Sequence, residues 1–384
     1  MISSQSRNVS GGAARCTLCP ACCEVRLVAS GPDNWRSEYP LSEGAGLCPR
    51  GSALGELIGH RRRIRHPSRR VNGKPRQIDL SDALEAILGA ASGKGVVFLV
   101  DGNIPVEQLC LAGAWCQAWS EAKLCIVVEP AERDLLLGIE AGACEYLAGD
   151  RLSECDGFVI VGNAFAANPM CSRGVFDRFK AQPRTPVVVI DPAAATCWKF
   201  ASHKVDTPAG GELASLLAVA SAAGAPVEGL DAQGAENSSA VEAGKAISGC
   251  GRLAVLVTAE YGRSAAWRQI GYAAAMLAKA KGGAVSPQTT GANALAAVRL
   301  ADKLGAVSPA SALADASTLR VSVGCDVAAM IGAPVDIFGA AAALPNRTTE
   351  SAEVLLPLAM PGEMAGVFLS ACCERVKVAP MMNP

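Results

Sequence analysis

The sequence is poor in histidine, aromatic residues and charge. Of its 384 residues, only three are histidine, 4% are aromatic and 18% are charged, against roughly 25% charged residues in an average globular chain. The 35 lysines and arginines balance 36 aspartates and glutamates, which leaves a net charge of −1. Nucleic-acid-binding domains normally carry a basic excess, and the one basic run here, residues 60–70, is short. We therefore expect no nucleic-acid partner.

Long hydrophobic runs are also missing. Half of the residues are apolar and the mean hydropathy is +0.26, which supports a sizeable core and excludes global disorder. No window reaches 18 uninterrupted apolar residues, and the closest, residues 213–227, has the Ala, Leu and Ser content of a buried helix. Residues 1–14 are polar and lack the apolar core of a signal peptide. We therefore expect no membrane contact and a cytoplasmic location.

From residue 78 onward, short apolar runs alternate with segments of helical periodicity. This alternation predicts an α/β fold, with parallel strands in βαβ units covered by helices on both faces. The predicted strands are 96–100, 124–128, 157–161, 187–190, 253–258, 319–323, 335–338 and 353–356. The predicted helices are 79–91 (with Ser81 as N-cap), 106–119, 131–141, 169–180, 212–223, 264–279 and 293–304.

Changes in composition along the chain predict its division into parts. Residues 1–14 are rich in Gly and Ser and predict a flexible lead, and residues 15–75 predict a Cys-rich, loop-rich lobe. A first α/β lobe is predicted over 76–225 and a second over 240–384. The stretch between them, residues 226–239, is rich in Gly, Asp and Ser and is typical of a connection.

The most specific motif is a cysteine cluster near the N-terminus. Cys16-x2-Cys19-x3-Cys23 is followed, after 24 intervening residues, by Cys48-Pro-Arg-Gly. Clustered cysteines in a reducing compartment indicate metal or redox chemistry, and four thiolates at such spacings suit an iron–sulfur cluster. A zinc ribbon and an empty loop are the alternatives, although a ribbon prefers two Cys-x2-Cys knuckles and only one exists. Cys22 is a fifth thiol that competes with Cys23.

Several motifs resemble molybdopterin oxidoreductases and follow one another in the order found in that superfamily. They are the cysteine spacing with Cys48–Gly51, Arg65–Arg70 before the first helix, Gly157–Asn163, Val187–Pro192 with Pro208–Glu212, and Glu353–Pro357 with Pro361–Glu363. The resemblance implies the molybdopterin-oxidoreductase-like α/β fold with a small Cys-rich N-terminal lobe. It implies four cluster ligands, Cys16, Cys19, Cys23 and Cys48, and four cofactor-binding residues, Arg50, Asn163, Asp191 and Glu363.

Within that superfamily the chain looks like the B-type chain of the formylmethanofuran dehydrogenase family, because little sequence follows the strand at 353–356. Full-length molybdopterin enzymes carry a further β-barrel domain there. The same type of chain occurs in formyltransferase/hydrolase complexes. The resemblance implies one-carbon (formyl) metabolism, a 4Fe-4S cluster, a molybdopterin or tungstopterin, and partner subunits of amidohydrolase-like (A) and transferase-like (D and C) types.

The sequence departs from the redox members at the metal site. Those members bind molybdenum or tungsten through a Cys followed by His, in the loop after the second parallel strand. The corresponding residues 127–133 contain neither, although a thiolate is the soft ligand that such a metal prefers. Cys125 lies before the loop and is predicted to point into the core. Ala193 also follows Asp191-Pro192 where the family usually has Arg.

These departures leave three hypotheses and no predicted catalytic residue. The first is a non-redox scaffold subunit of a formyltransferase/hydrolase complex. The second is a redox-active molybdopterin or tungstopterin subunit that oxidises or reduces a formyl or formate group and passes electrons through a 4Fe-4S cluster. The third is an independent iron–sulfur or zinc protein. Whether the chain is itself an enzyme depends on the missing metal-ligating Cys.

Overall fold

A computed structural model describes residues 11–31, 33–38, 48–147, 149–193, 196–230, 237–259 and 264–381. The strands in chain order are β1 (Gly11–Arg15), β2 (Glu24–Gly31), β3 (Asn34–Glu38), β4 (Ser68–Val71), β5 (Lys74–Gln77), β6 (Val96–Asp101), β7 (Ala122–Val127), β8 (Gly157–Val161), β9 (Val187–Ile190), β10 (His203–Val205), β11 (Leu253–Val257), β12 (Ala284–Pro287), β13 (Leu319–Val323), β14 (Gly339–Ala342), β15 (Val354–Pro357), β16 (Gly366–Leu369) and β17 (Arg375–Val378).

The helices are α1 (Pro49–Ile58), α2 (Leu80–Ala91), α3 (Val106–Ala118), α4 (Pro130–Gly142), α5 (Ala164–Ala167), α6 (Cys171–Ala181), α7 (Glu212–Ala222), α8 (Ser238–Ile247), α9 (Trp267–Ala280), α10 (Ala294–Lys303), α11 (Pro309–Ala314), α12 (Val327–Ile331) and α13 (Arg347–Ser351). Two short 3-10 segments are Gly149–Glu154 and Thr196–Phe200. Within the described ranges, no helix combines the length and the apolar character needed to cross a bilayer.

Two parallel sheets form the frame of the molecule. The larger has seven strands in the order β5-β4-β15-β14-β13-β6-β7, in which only β4 runs antiparallel to its neighbours, β15 and β5. The smaller has five parallel strands in the order β10-β9-β8-β11-β12. Side chains alternate between two buried faces in each: Phe98 and Val100 pack on one face of β6, and Val97 and Leu99 on the other. Burial on both faces explains why these strands appear as unbroken apolar runs.

The Cys-rich lobe contains more regular structure than its sequence predicts. Strands β1, β2 and β3 form an antiparallel sheet over a segment predicted to be loop-rich, and helix α1 follows it. The predicted flexible lead also ends earlier, because β1 begins at Gly11; residues 1–10 lie outside the described part. In β2 the buried Val25 and Leu27 alternate with Glu24 and Arg26. This alternation spans only four residues, which is the shortest length at which alternation indicates a strand.

The two sheets do not follow the predicted division into lobes 76–225 and 240–384. The five-stranded sheet takes β8, β9 and β10 from before residue 226 and β11 and β12 from after it. The seven-stranded sheet likewise combines β6 and β7 with β13, β14 and β15. The chain therefore builds part of the larger sheet, completes the smaller one, and returns to finish the larger. A polar connection in the sequence marks a surface loop, not a boundary between cores.

Two predicted elements are wrong in position. The strand expected at 335–338 lies at Gly339–Ala342, where only small residues fit between neighbouring strands and helix α2: a Cβ at Gly339 would lie 3.1 Å from Ile87 Cδ1. Glycine and alanine have low β-propensity, so the sequence does not reveal this strand. Helix α2 is capped by Asp79, not Ser81, although the Asp79 side chain makes no capping hydrogen bond.

Helices α4 and α9 join the two sheets through a close contact between glycines. Leu135 and Ile139 of α4 pack in the core of the smaller sheet, while Leu136 packs in that of the larger. A Cβ at Gly138 would overlap the Arg268 carbonyl oxygen of α9, and a Cβ at Gly271 would overlap that of Leu135. The backbones therefore approach to a distance that no other residue allows.

We expect Gly138→Ala to destabilise the protein by about 2 kcal/mol, because overpacking at a helix contact outweighs the gain in helix propensity. The measurement is the urea unfolding midpoint. Gly89→Ala in α2 is the matched control, since nothing lies within 4 Å of its added Cβ; it should stabilise by about 0.5–1 kcal/mol. Equal midpoints for the two variants would contradict the close contact.

Candidate functional site

The cysteine loop connects β1 and β2 and is closed by its own backbone. The Cys16 amide donates to the Cys23 carbonyl at 2.8 Å, and the Cys22 amide donates to the Cys19 carbonyl at 3.2 Å. Cys48 approaches from the other side of the lobe as the N-cap of α1, where its Sγ accepts a hydrogen bond from the Gly51 amide at 3.4 Å. The N-terminus of α1 thus directs positive potential at the Cys48 sulfur.

Four thiols lie close enough to affect one another electrostatically. Burial, followed by the charges of nearby Cys19, Cys23 and Cys48, raises the pKa of Cys16 to about 12. Burial with the charges of Cys19 and Cys48 raises the pKa of Cys23 to about 11. Burial also raises the pKa of Cys19, which the Arg50 guanidinium opposes. Across the described ranges, however, no group of three or more Cys, His, Asp or Glu side chains is arranged so that it could hold a metal ion.

Cys22 packs in the core of the C-terminal hairpin. It is 1% exposed and contacts Phe368 of β16 and Val378 of β17. Its backbone adopts a left-handed conformation with φ of 44°. Burial, then the charges of Cys19, Cys16 and Cys23, raises its pKa to about 12. Cys23 as the partner of Cys48 stays a prediction.

Arg50 and Asn163 meet at the short helix α5. Arg50 Nη1 donates to the Ala167 carbonyl at 2.9 Å and Nη2 to that of Ala166 at 3.2 Å, which attaches the Cys-rich lobe to the smaller sheet. Asn163 is the N-cap of α5 and follows Gly162, whose φ of 77° is accessible to glycine without strain. Both residues therefore lie at the carboxyl end of β8, where α/β folds place their ligands.

The other two predicted cofactor residues are differently placed. Asp191 is buried at the carboxyl end of β9, and its Oδ1 accepts a hydrogen bond from the Ala193 amide at 2.7 Å. The Glu363 carboxylate forms a buried bidentate ion pair with Arg63 at 2.6 and 2.7 Å and also accepts the Met360 amide. Both carboxylate oxygens of Glu363 thus already accept hydrogen bonds from within the protein. Cofactor binding by any of the four residues stays a prediction.

A cavity of about 960 Å³ opens beside the cysteine loop. Its walls come from that loop, helix α6, the end of β12 and the C-terminal hairpin, with Cys23, Asn168, Arg173, Gln288, Ser370 and Arg375 among the lining residues. Gln288 is 1% exposed. Its Nε2 donates to Ser286, but its Oε1 accepts no hydrogen bond from the described residues. A buried, unpaired carbonyl is costly, so Gln288 presents an acceptor suited to an N–H or O–H group of a ligand.

A group of polar residues at the end of β6 was not predicted from the sequence. The Asn103 side chain donates to the Thr17 carbonyl in the cysteine loop at 3.2 Å and accepts the Asn293 amide at 3.1 Å. The buried Asn293 side chain in turn accepts the Leu369 amide of the C-terminal hairpin at 2.8 Å. The position of Asp101-Gly-Asn103 directly after a buried parallel strand was the available signal, because ligands and polar contacts gather there.

The loop after β7 offers no soft metal ligand. Cys125 is fully buried among Val97, Leu99 and Ile337, and burial raises its pKa to about 11. Its predicted inward orientation is thus confirmed. In the loop itself, Glu129 caps α4 by accepting the Glu132 amide at 2.8 Å, and burial raises the pKa of Glu129. Proline and alanine follow, so residues 127–133 themselves supply no thiolate.

Comparison with known proteins confirms the predicted fold class. No protein-family model matches the chain. Nitrate reductase from Klebsiella oxytoca is 28% identical over 233 residues, which make up 54% of this chain but only 26% of that enzyme. Acetylene hydratase from Pelobacter acetylenicus superposes with a TM-score of 0.65 at 10% identity, over 97% of this chain and 66% of that one.

A second solved structure is similar over most of the length of both chains. A chain of the formyltransferase/hydrolase complex FhcABCD from Methylorubrum extorquens, solved with methylofuran, superposes with a TM-score of 0.56 at 15% identity, over 78% of this chain and 90% of that one. At such identities the structures show the fold alone. The chain therefore shares the mixed α/β fold of these structures, with parallel sheets and helices, and carries a Cys-rich lobe at its N-terminus.

The half-buried Asp101, at the end of β6, makes the free energy of unfolding depend on pH. Burial raises its pKa to about 6, against 3.8 for the free side chain. Both the folded and the unfolded states are protonated below pH 3.8, so the native state loses stability as the pH rises from there through about 6. Because Asn cannot ionise, Asp101→Asn should gain on the order of 1–2 kcal/mol relative to wild type between pH 4 and 7. Urea unfolding at several pH values measures this, and a constant difference would contradict it.

Proposed function

We propose that this chain is a B-type, non-redox scaffold subunit of a formyltransferase/hydrolase complex in formyl metabolism. Its fold resembles a chain of such a complex over 90% of that chain's length. Catalysis would reside in the amidohydrolase-like (A) and transferase-like (D and C) subunits that this chain positions. The cytoplasm is the proposed location.

The observation that carries this proposal is the stripped loop after β7. The redox members that the chain resembles bind molybdenum or tungsten through a Cys there, and residues 127–133 contain no Cys or His. The Cys125 side chain does not reach the loop, because it is buried among Val97, Leu99 and Ile337. The residues present therefore do not fit a molybdenum or tungsten that is bound through a protein thiolate.

The chemistry of the donor set at the Cys-rich lobe supports a 4Fe-4S cluster, since such clusters are held by four thiolates. Cys16, Cys19 and Cys23 share one loop, and Cys48 contributes a fourth thiol at a helix N-terminus. The raised pKa values of Cys16 and Cys23 mean that cluster assembly must displace protons from neutral thiols. Bound there, the cluster would tie α1 to the sheet of β1, β2 and β3, where few large apolar side chains are buried. A zinc ion is the alternative occupant.

A second candidate function is favoured by the cavity beside Cys23. A redox-active subunit would hold its pterin close to the cluster, and the unpaired Oε1 of Gln288 offers an acceptor for ring N–H groups. This alternative includes electron transfer through the four thiols. It lacks the protein ligand for the metal, which is why we rank it second.

Metal analysis and dye reduction separate the two functions. We expect the purified complex to contain iron without molybdenum or tungsten, and to show no formate- or formyl-dependent reduction of a viologen dye. The physical reason is the missing thiolate after β7. Cys125→Ala should leave this result unchanged. Dye reduction that Cys125→Ala abolishes would establish the redox function instead, with Cys125 as the metal ligand.

Substitution of Cys48 tests the cluster. Cys48→Ser should remove the visible iron–sulfur absorption of the reconstituted protein, because one of the four thiolates is lost. Cys22→Ala is the matched control and should keep the absorption, since Cys22 packs in the hairpin core. Loss of absorption in the Cys22 variant would reassign the ligand set. An unchanged spectrum in the Cys48 variant would exclude its role and leave zinc or no metal.

A further inference from the structure

Positive charge is concentrated in one segment of an otherwise balanced chain. Residues 60–77 contain eight arginines and lysines and no acidic residue, although the whole protein has a net charge of −1. Distant acids compensate part of this charge, for example Glu363 on Arg63 and Glu353 on Arg69. Within the described part of the chain, Lys74 and Arg76 have no acidic partner. Uncompensated charge is therefore concentrated on the hairpin β4–β5.

The hairpin places like charges directly against each other. Arg69 of β4 is the cross-strand neighbour of Arg76 of β5. Glu353 compensates the charge of Arg69, which leaves Arg76 without an acidic partner among the described residues. Arg69 is also in register with Val354 of β15. Val354 is fully buried in the core formed with helix α2. Because residues in register share a face of the sheet, both arginines lie on its α2 side.

Helix α2 adds an apolar ridge on the same side. Ala83, Ile87 and Ala91 face the sheet and are buried. Next to them Leu80, Leu84 and Leu88 form a second line at four-residue spacing and remain 55%, 41% and 50% exposed. Helix α2 packs on β15, the neighbour of β4 in the sheet. An exposed leucine ridge with a charged border has the anatomy of a protein–protein interface.

The geometry points to a helix as the occupant of this face. Hairpin strand β5 is the edge of the sheet, and Pro75 within it cannot donate to an added strand. A ridge of residues four apart instead fits the groove of a second helix. We infer that the β4–β5 hairpin and the leucine ridge of α2 dock an amphipathic helix with acidic residues. Its origin in another subunit of the complex rests on the proposed function.

A peptide tests this face on the intact chain. The probe is a synthetic helix with leucine at every fourth position and glutamate beside each leucine. We expect wild-type protein to bind it in a fluorescence anisotropy titration. Lys74→Glu combined with Arg76→Glu should weaken binding at least tenfold through charge repulsion, and Leu84→Ser should do the same through lost apolar contact. Added salt should weaken wild-type binding.

Matched controls keep general charge and folding effects apart. Arg268→Glu with Lys303→Glu makes the same charge change on α9 and α10, and Ile331→Ser alters a similarly exposed residue (43%) on α12; neither should change affinity more than twofold. Equal binding of a peptide with lysine in place of glutamate would overturn the inference. A second result would also overturn it: heparin displaces the peptide fully, and Leu84→Ser leaves the peptide affinity unchanged. That result would identify a surface that binds polyanions in general.

Co-expression with the proposed partner subunits distinguishes the two proposals. If the wild-type chain assembles and the Lys74/Arg76 charge-reversed chain does not, both are supported. If the chain never assembles but binds the acidic peptide as expected, the docking face stands and the scaffold function fails. If the wild-type chain and the charge-reversed chain both assemble and the peptide does not bind, the docking face is wrong.

Discussion

Two asparagine side chains hold the parts of this protein in one arrangement. Asn103, at the carboxyl end of β6, bonds the cysteine loop through the Thr17 carbonyl and α10 through the Asn293 amide. Asn293 bonds the chain after β6 at the Ile104 carbonyl and the C-terminal hairpin at the Leu369 amide. The buried Asn293 amide would be costly if unpaired, so these hydrogen bonds fix the lobe, the larger sheet and the hairpin relative to one another. The cysteine cluster and the adjoining cavity depend on this alignment.

The Cys-rich lobe is attached to the sheets independently of the loop after β7. The cysteine loop is stabilised by contacts to the sheet end, and Arg50 adds a second attachment at α5. In the loop after β7, Glu129 caps its own helix. This cap does not involve the cysteine loop, so the position of the lobe does not depend on it.

Charge is distributed according to a similar separation. Arg63 is buried and used internally, in a bidentate pair with Glu363 that links the Cys-rich lobe to the segment before β16. In the hairpin β4–β5, Arg69 pairs with Glu353 and Arg70 donates to two backbone carbonyls near β15. Lys74 and Arg76, by contrast, have no acidic partner within the described part of the chain. One short run of sequence thus supplies a buried ion pair, contacts that attach the hairpin to the sheet, and an exposed basic surface.

Local elements of this protein could be predicted from its sequence, whereas the way in which they meet could not. Unbroken apolar runs such as those of strands β8 and β11 identified parallel strands, because burial on both faces leaves no alternation. The cysteine spacing identified a candidate cluster because close ligands must share a loop. Local periodicity encodes which face of a strand is buried but not which strand lies beside it, so the return of the chain to the larger sheet was invisible.

Contacts between residues that are distant in sequence follow only from the tertiary structure. Gly339–Ala342 forms a strand despite its low β-propensity, and its glycine lies where an added Cβ would be 3.1 Å from Ile87 Cδ1. Glu363 was predicted to bind a cofactor, and its pairing with Arg63, 300 residues away, emerges only in the folded chain. Such interactions depend on the whole core, and no short stretch of sequence contains them.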